Sequence, residues 1–270
     1  MRQKLNIVQK TIMIFCIATA SVVAMSFSPV GERRNIKLHI WNNVGGKEII
    51  YDNATYKNST GQDYTITNLK YYISNITLTD TSGKVFTNKD SYYLIRQDDP
   101  ATMDIELADI PMGNYKSISF LIGVDSLHNC SGAQSGALDP VNAMFWTWNT
   151  GYIFFKLEGK SPVSTSPGGI FEYHIGGYKA PANCIRKVTL DLNGDTDQPN
   201  MVNVPTGKLP DGKQLKISSI NLSADIAKIM DGKTVIDIAK LSSVTDFRNA
   251  PAIADNYQHM FSLSNLNYDY

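Results

Sequence analysis

Period-two alternation of apolar and polar residues constrains this chain more than any other feature. Ile36, Leu38 and Ile40 alternate with Lys37, His39 and Trp41, and Ile118, Phe120 and Ile122 alternate with Ser117 and Ser119. The same period relates Ile153, Phe155 and Leu157 to Tyr152, Phe154 and Lys156, and Val188, Leu190 and Leu192 to Lys187, Thr189 and Asp191. Successive side chains of a strand point to opposite faces, so each run offers one apolar face to a core. Turn formers separate the runs: TSGK at 81–84, PMGN at 111–114, LNGD at 192–195 and LPDGK at 209–213. Only ADIAKIM at 224–230 reads as a helix, opened by Ser223 and stopped by Asp231 and Gly232. Strands do not alternate with helices, which excludes a doubly wound fold. The pattern predicts an all-β chain, an antiparallel β-sandwich with long loops and one short helix.

The N-terminus has a different character. Arg2, Lys4 and Lys10 precede an apolar run from Thr11 to Met25, with small residues at Ala18, Ala20 and Ala24. This is the pattern of an export signal over residues 1–24, leaving a single domain over residues 32–270 in the periplasm or secreted. The run is shorter than the ~20 residues of a membrane span, and no later stretch approaches that length, so no stable membrane insertion is expected. Cys16 follows Met13, Ile14 and Phe15 rather than small residues, which argues against a lipid anchor. Removing the signal takes three basic residues from a chain with 25 of each sign, leaving 22 basic against 25 acidic. That balance supplies no electrostatic footprint for nucleic acid. Neither a nucleophile elbow, a phosphate loop, an HExxH motif nor a catalytic Cys/His signature is present, so the chain is not expected to be an enzyme.

One stretch breaks the rhythm. Residues 125–143 are turn formers without periodicity, and loops of that length inside domains usually carry function. They hold His128 and Cys130. With Cys16 removed, Cys130 and Cys184 remain as an even pair, and in an oxidising compartment the expectation is a disulfide worth about 4 kcal/mol. Such a bond would draw His128 towards His174, which lies ten residues before Cys184. Two imidazoles together suit copper or zinc; the alternative is that each is an ordinary hydrogen-bonded residue. Met144, a soft thioether, and His259, beside Met260, are further metal candidates, whereas His39 reads as structural. Trp146 and Trp148 share a face if extended, as core anchors or as functional residues. DLNGDTD at 191–197 opens like a calcium loop but has Thr196 and Val202 where glycine and glutamate are required, so it reads as a strand-end turn.

Four blocks carry a family resemblance: TNLKYYISNITLTDTSGK at 67–84, LIGVDSLHN at 121–129, GALDPVNAMFWTWNTGYIFFKLEG at 136–159 and FEYHIGG at 171–177. Together they resemble the MbnP-like copper-binding family of exported bacterial proteins, over about residues 36–263. The resemblance implies a periplasmic β-sandwich that binds copper. It also implies a partner, a dihaem cytochrome c peroxidase-like protein, that oxidises a tryptophan to kynurenine, whose aromatic amine then ligates copper beside histidines. His174 matches the family's HLG histidine. His128 stands at its Asn-His position with the order reversed, as His128-Asn129, and Trp146 and Trp148 match its FWSW pair. The implied function is handling of periplasmic copper; the alternative is a metal-free β-sandwich binding or scaffold module at the cell surface.

Overall fold

The structure, a computed structural model, describes residues 32–146, 151–192 and 216–269. Fifteen strands run through the described residues: β1 Arg33–Val44, β2 Lys47–Glu48, β3 Tyr56–Lys57, β4 Asp63–Asp80, β5 Val85–Thr87, β6 Tyr92–Arg96, β7 Asp104–Pro111, β8 Tyr115–Ile122, β9 Phe145–Trp146, β10 Gly151–Lys160, β11 Ile170–Gly176, β12 Arg186–Asp191, β13 Lys216–Asp225, β14 Ser243–Val244 and β15 Phe261–Asp269. They form a small sheet ordered β15-β13-β1-β2, with β7 also on β1, and a large sheet ordered β12-β8-β4-β10-β11-β14. The short strands β3, β5 and β6 pair with β4, and β9 pairs with β10.

The predominantly β architecture is the one that the alternation predicts. The core faces are those of the pattern: Ile36, Leu38 and Ile40 of β1, Phe120 of β8, and Phe155 and Leu157 of β10 are all buried. Phe261 of the small sheet meets Tyr71 and Phe120 of the large one edge-on, with ring centroids 6.0 and 4.9 Å apart. Tyr71 also stacks on Phe155 and donates its hydroxyl to Asn42 Oδ1 of β1 at 2.6 Å. Burial of such rings, together with the aliphatic residues around them, holds the two sheets together, and the Tyr71 hydrogen bond ties β4 to β1.

Three details depart from the sequence reading. The pairings β1 with β13 and β11 with β14 are parallel, so the sheets are mixed. The predicted helix is a single turn, Ala227–Met230, because Ala224 and Asp225 continue β13 in register with Asn42 and Asn43 of β1. A longer helix, Ala250–Tyr257, carries Pro251 in its first turn, where its missing N–H costs nothing. No helix among the described residues is long and apolar enough to cross a membrane. The expected export signal, residues 1–24, lies outside the described residues.

Candidate functional site

The loop that breaks the alternation lies across the outer face of the large sheet. Tyr72 of β4 donates to the carbonyl of Ala137, Tyr152 of β10 to that of Leu138 at 2.8 Å, and Lys156 Nζ to that of Ala143 at 2.6 Å. Asn129 is buried and its Oδ1 accepts the N–H of Tyr152 at 2.8 Å. Strand β10 is therefore covered on both sides, and Tyr152, Phe154 and Lys156 are as buried as the core-facing residues they alternate with.

Beneath this loop the sheet carries charge. Arg96, Lys70, Lys156 and His174 stand in one register row across β6, β4, β10 and β11, and Asn68, Glu158 and Glu172 stand in a neighbouring row. Registered neighbours share a face, so these basic side chains need acidic partners: Arg96 has Asp98, and the rest have the carboxylates of the row beside them. Glu158 takes that role: its Oε1 lies 2.6 Å from His174 Nε2 and its Oε2 accepts from Asn68 Nδ2 at 2.9 Å. The bond from His174 holds the Glu158 carboxyl at about 2, against the opposing effect of burial and with help from Asn68 and from the charges of His174 and Lys156. An ionised carboxylate only accepts, so His174 Nε2 carries the proton of that bond, and the neutral form of the ring then has its lone pair on Nδ1, which has no hydrogen-bond partner among the described residues. Lys156 is pushed below the ordinary lysine value by burial and by Lys70, while Glu158 and Glu172 pull it back.

Trp146 stands next to this row. It is buried and pairs with Gly151, and its ring packs over Gly176, where an added Cβ would come within 2.6 Å of Cζ3. Gly176 and His174 are two residues apart on β11, so the indole lies on His174's face about 7 Å further along the strand. Phe247 closes the far side edge-on at 5.8 Å. A cavity of about 280 Å³ adjoins the ring, lined by Asn129, Gly151, Tyr178, Lys179 and Phe247 among others. Trp148 lies outside the described residues.

His128 has different surroundings. It sits in the short helix Ser126–Cys130, whose cap, Asp125, accepts from the His128 backbone N–H at 3.1 Å. Its Nδ1 lies 2.6 Å from the Tyr92 hydroxyl and 3.2 Å from Asp125 Oδ1, while Tyr92 donates a very short hydrogen bond to Asp125 Oδ2. Burial opposes ionisation of Asp125, but the donors Tyr92, His128 and Asn75 outweigh it and bring the carboxyl to about 2. The His128 ring borders a cavity of about 260 Å³ shared with Asp90, Gln134 and Ser135. Tyr92 is on β6 and His174 on β11, three strand spacings or ~14 Å apart across the sheet, so the structure does not bring the two imidazoles together.

The expected disulfide is corrected: Cys130 and Cys184 are free thiols. Cys184 is fully buried, its Sγ turned towards the carbonyl of Ala182 at 3.5 Å, and burial raises its thiol to about 12. Cys130 is exposed and its side chain meets the Tyr178 hydroxyl instead. Without the bond, the reason for a shared His128 and His174 neighbourhood disappears. Met144 is fully buried in the core, and its carbonyl accepts from Ile153. His259 is exposed in the turn after Ala250–Tyr257, away from either cluster's hydrogen bonds. Asp191 ends β12, and the rest of DLNGDTD beyond Leu192 lies outside the described residues. Glu158, Lys156, Asp125 and Tyr92 were not singled out from the sequence, although Lys156 and Glu158 are the polar members of a strand otherwise rich in aromatics.

No group of three His, Cys, Asp or Glu side chains converges among the described residues. At His174 the open donor is a single imidazole nitrogen, Nδ1, because the Glu158 carboxylate is bound to the opposite nitrogen and to Asn68, with an indole alongside. An imidazole suits copper, which would need further donors to join it there.

Comparison with known proteins adds the lineage. No curated protein matches the chain. Among solved structures it is similar to MbnP from Methylosinus trichosporium, with 15% sequence identity, a TM-score of 0.50, and coverage of 77% of this chain and 80% of that one, a likeness of fold. The MbnP family model matches residues 33–247, which includes the large sheet, the small sheet except β15, the covering loop and the His174 row, and the chain belongs to the MbnP family.

Proposed function

We propose that this chain is an exported copper-binding protein that handles periplasmic copper, with His174 as a ligand and Trp146 or Trp148 as the residue oxidised to kynurenine. One observation carries the reading. Trp146 stands one pleat from His174 on a single sheet face, and Glu158 holds His174 with Nδ1 open. A carboxylate behind an imidazole fixes its tautomer and raises its basicity, the usual arrangement behind a metal-bound histidine. Copper here is cargo, and the residues do the positioning: Glu158, itself held by Asn68, orients the ring, and Lys156 holds the covering loop. Family membership supports copper association, and a dihaem cytochrome c peroxidase-like protein is the proposed oxidant of the tryptophan. Ligation by His128 belongs to this proposal only as the arm that the experiment removes.

The test is copper content after dialysis, measured on protein purified from its native host together with peptide mass spectrometry over residues 144–159. The expected outcome is near-stoichiometric copper, a kynurenine in place of one tryptophan, loss of copper in His174→Ala and retention in His128→Ala. Unmodified Trp146 and Trp148 would remove the kynurenine part. Unchanged copper in His174→Ala would remove the ligand.

A further inference from the structure

The outer face of the small sheet, remote from the charged row, has a composition of its own. Pairing of β1, β13 and β15 aligns Lys37 with Ser219 and Asn267, His39 with Asn221 and Asn265, and Trp41 with Ser223 and Ser262. Trp41 is the one large apolar side chain in these rows and is 42% exposed. The charged groups on this face are engaged locally: Lys37 Nζ and His39 Nδ1 lie 2.9 and 2.7 Å from the same carboxylate, that of Asp104 on β7, and the Glu106 carboxylate of β7 accepts from Asn35 Nδ2. The amides brace one another. Asn267 Nδ2 donates to Ser219 Oγ at 2.7 Å, Asn221 Nδ2 to the same oxygen at 3.2 Å, and Asn265 Nδ2 to Asn267 Oδ1 at 3.2 Å.

We propose that this face binds a neutral glycan chain. Asn221 Nδ2 also donates to the Asn265 main-chain carbonyl at 3.5 Å, but the Asn221 Oδ1 acceptor and one N–H each of Asn265 and Asn267 are left over by the bracing bonds, so an acceptor and two donors remain in fixed positions. Adjacent hydroxyls of a pyranose ring offer the complementary donor and acceptor pair. The apolar C–H face of the ring stacks on an exposed indole, an aromatic surface with few rotamers to lose. Four strands at ~4.8 Å spacing make a flat strip about 14 Å wide, which suits an extended polymer rather than a small enclosed ligand. Other partners fit less well: a protein partner calls for an apolar centre larger than one tryptophan, and a nucleic acid calls for unpaired cations.

Affinity electrophoresis of the full chain through native gels containing laminarin, hydroxyethylcellulose, xyloglucan or galactomannan tests the proposal. Retardation is expected in at least one gel, and it should persist at 0.5 M sodium chloride because a neutral polymer offers no charge to screen. Trp41→Ala and the double variant Asn221→Ala, Asn267→Ala should each weaken that retardation about tenfold or more in Kd. All of these side chains are at the surface, and unchanged circular dichroism checks the fold. Free migration in all four gels overturns the proposal, as does retardation that Trp41→Ala leaves unaltered, or, with a fifth gel of anionic alginate as control, retention by alginate alone.

Discussion

At the scale of single residues, environment rather than identity sets the chemistry. Cys130 and Cys184 are the same side chain in opposite settings, one exposed beside Tyr178 and one buried with its thiol raised to about 12. The thiolate is the reactive form, so maleimide should label Cys130 in the native protein and Cys184 only after unfolding. Mass spectrometry reads this directly, and two unreactive cysteines that label only after reduction would restore the disulfide. The histidines differ in the same way. His174 is oriented by Glu158, and His128 by Tyr92 and Asp125. Glu158→Gln keeps the size of the side chain but replaces an ionised acceptor with a neutral one. Copper affinity is expected to fall roughly ten- to a hundredfold, the range typical for loss of such a support, while Asp125→Asn leaves it unchanged. A competition titration against a chelator of known affinity distinguishes the two.

At the scale of elements, the covering loop and β10 depend on each other. The loop has no periodicity, and its place is fixed by tyrosine hydroxyls and one lysine that rise from the sheet to its carbonyls. Gly176 is where the loop's continuation meets β11: a Cβ there would stand 2.5 Å from the carbonyl oxygen of Tyr152 and 2.6 Å from the Trp146 ring. Backbone cannot yield to that contact, so Gly176→Ala should cost about 2 kcal/mol by overpacking and displace the indole. The measurements are the denaturant midpoint and the tryptophan emission maximum. An unchanged midpoint with unchanged emission would mean that Trp146 does not pack on Gly176.

At the scale of the whole molecule, acid stability follows from two carboxylates, Asp125 within the loop and Glu158 on the sheet. Asp125 and Glu158 are both held at about 2 in the folded chain, below the ~3.9 and ~4.3 of unfolded aspartate and glutamate. Groups with depressed folded values contribute stability that is fully present above the unfolded values and is lost as pH falls towards the folded ones. The urea midpoint should therefore hold from pH 7 to about 5 and fall between about pH 4.5 and 2. Tyr92→Phe, which removes a donor from Asp125, should flatten that fall; curves that descend in parallel would exclude the contribution. Period two alone determined the β class and which face of β1, β8 and β10 enters the core, because burial of one pleated face is a local property of each strand. The blocks that carry the family resemblance, not the period, pointed to Trp146 and His174. Only the tertiary structure decided that β1 and β13 run parallel, that Ala224 and Asp225 belong to a strand, that the cysteines stand apart, and that Glu158 rather than His128 is the partner of His174. Those outcomes depend on which strands become neighbours, and neighbours that are distant in sequence leave no periodic trace in either strand.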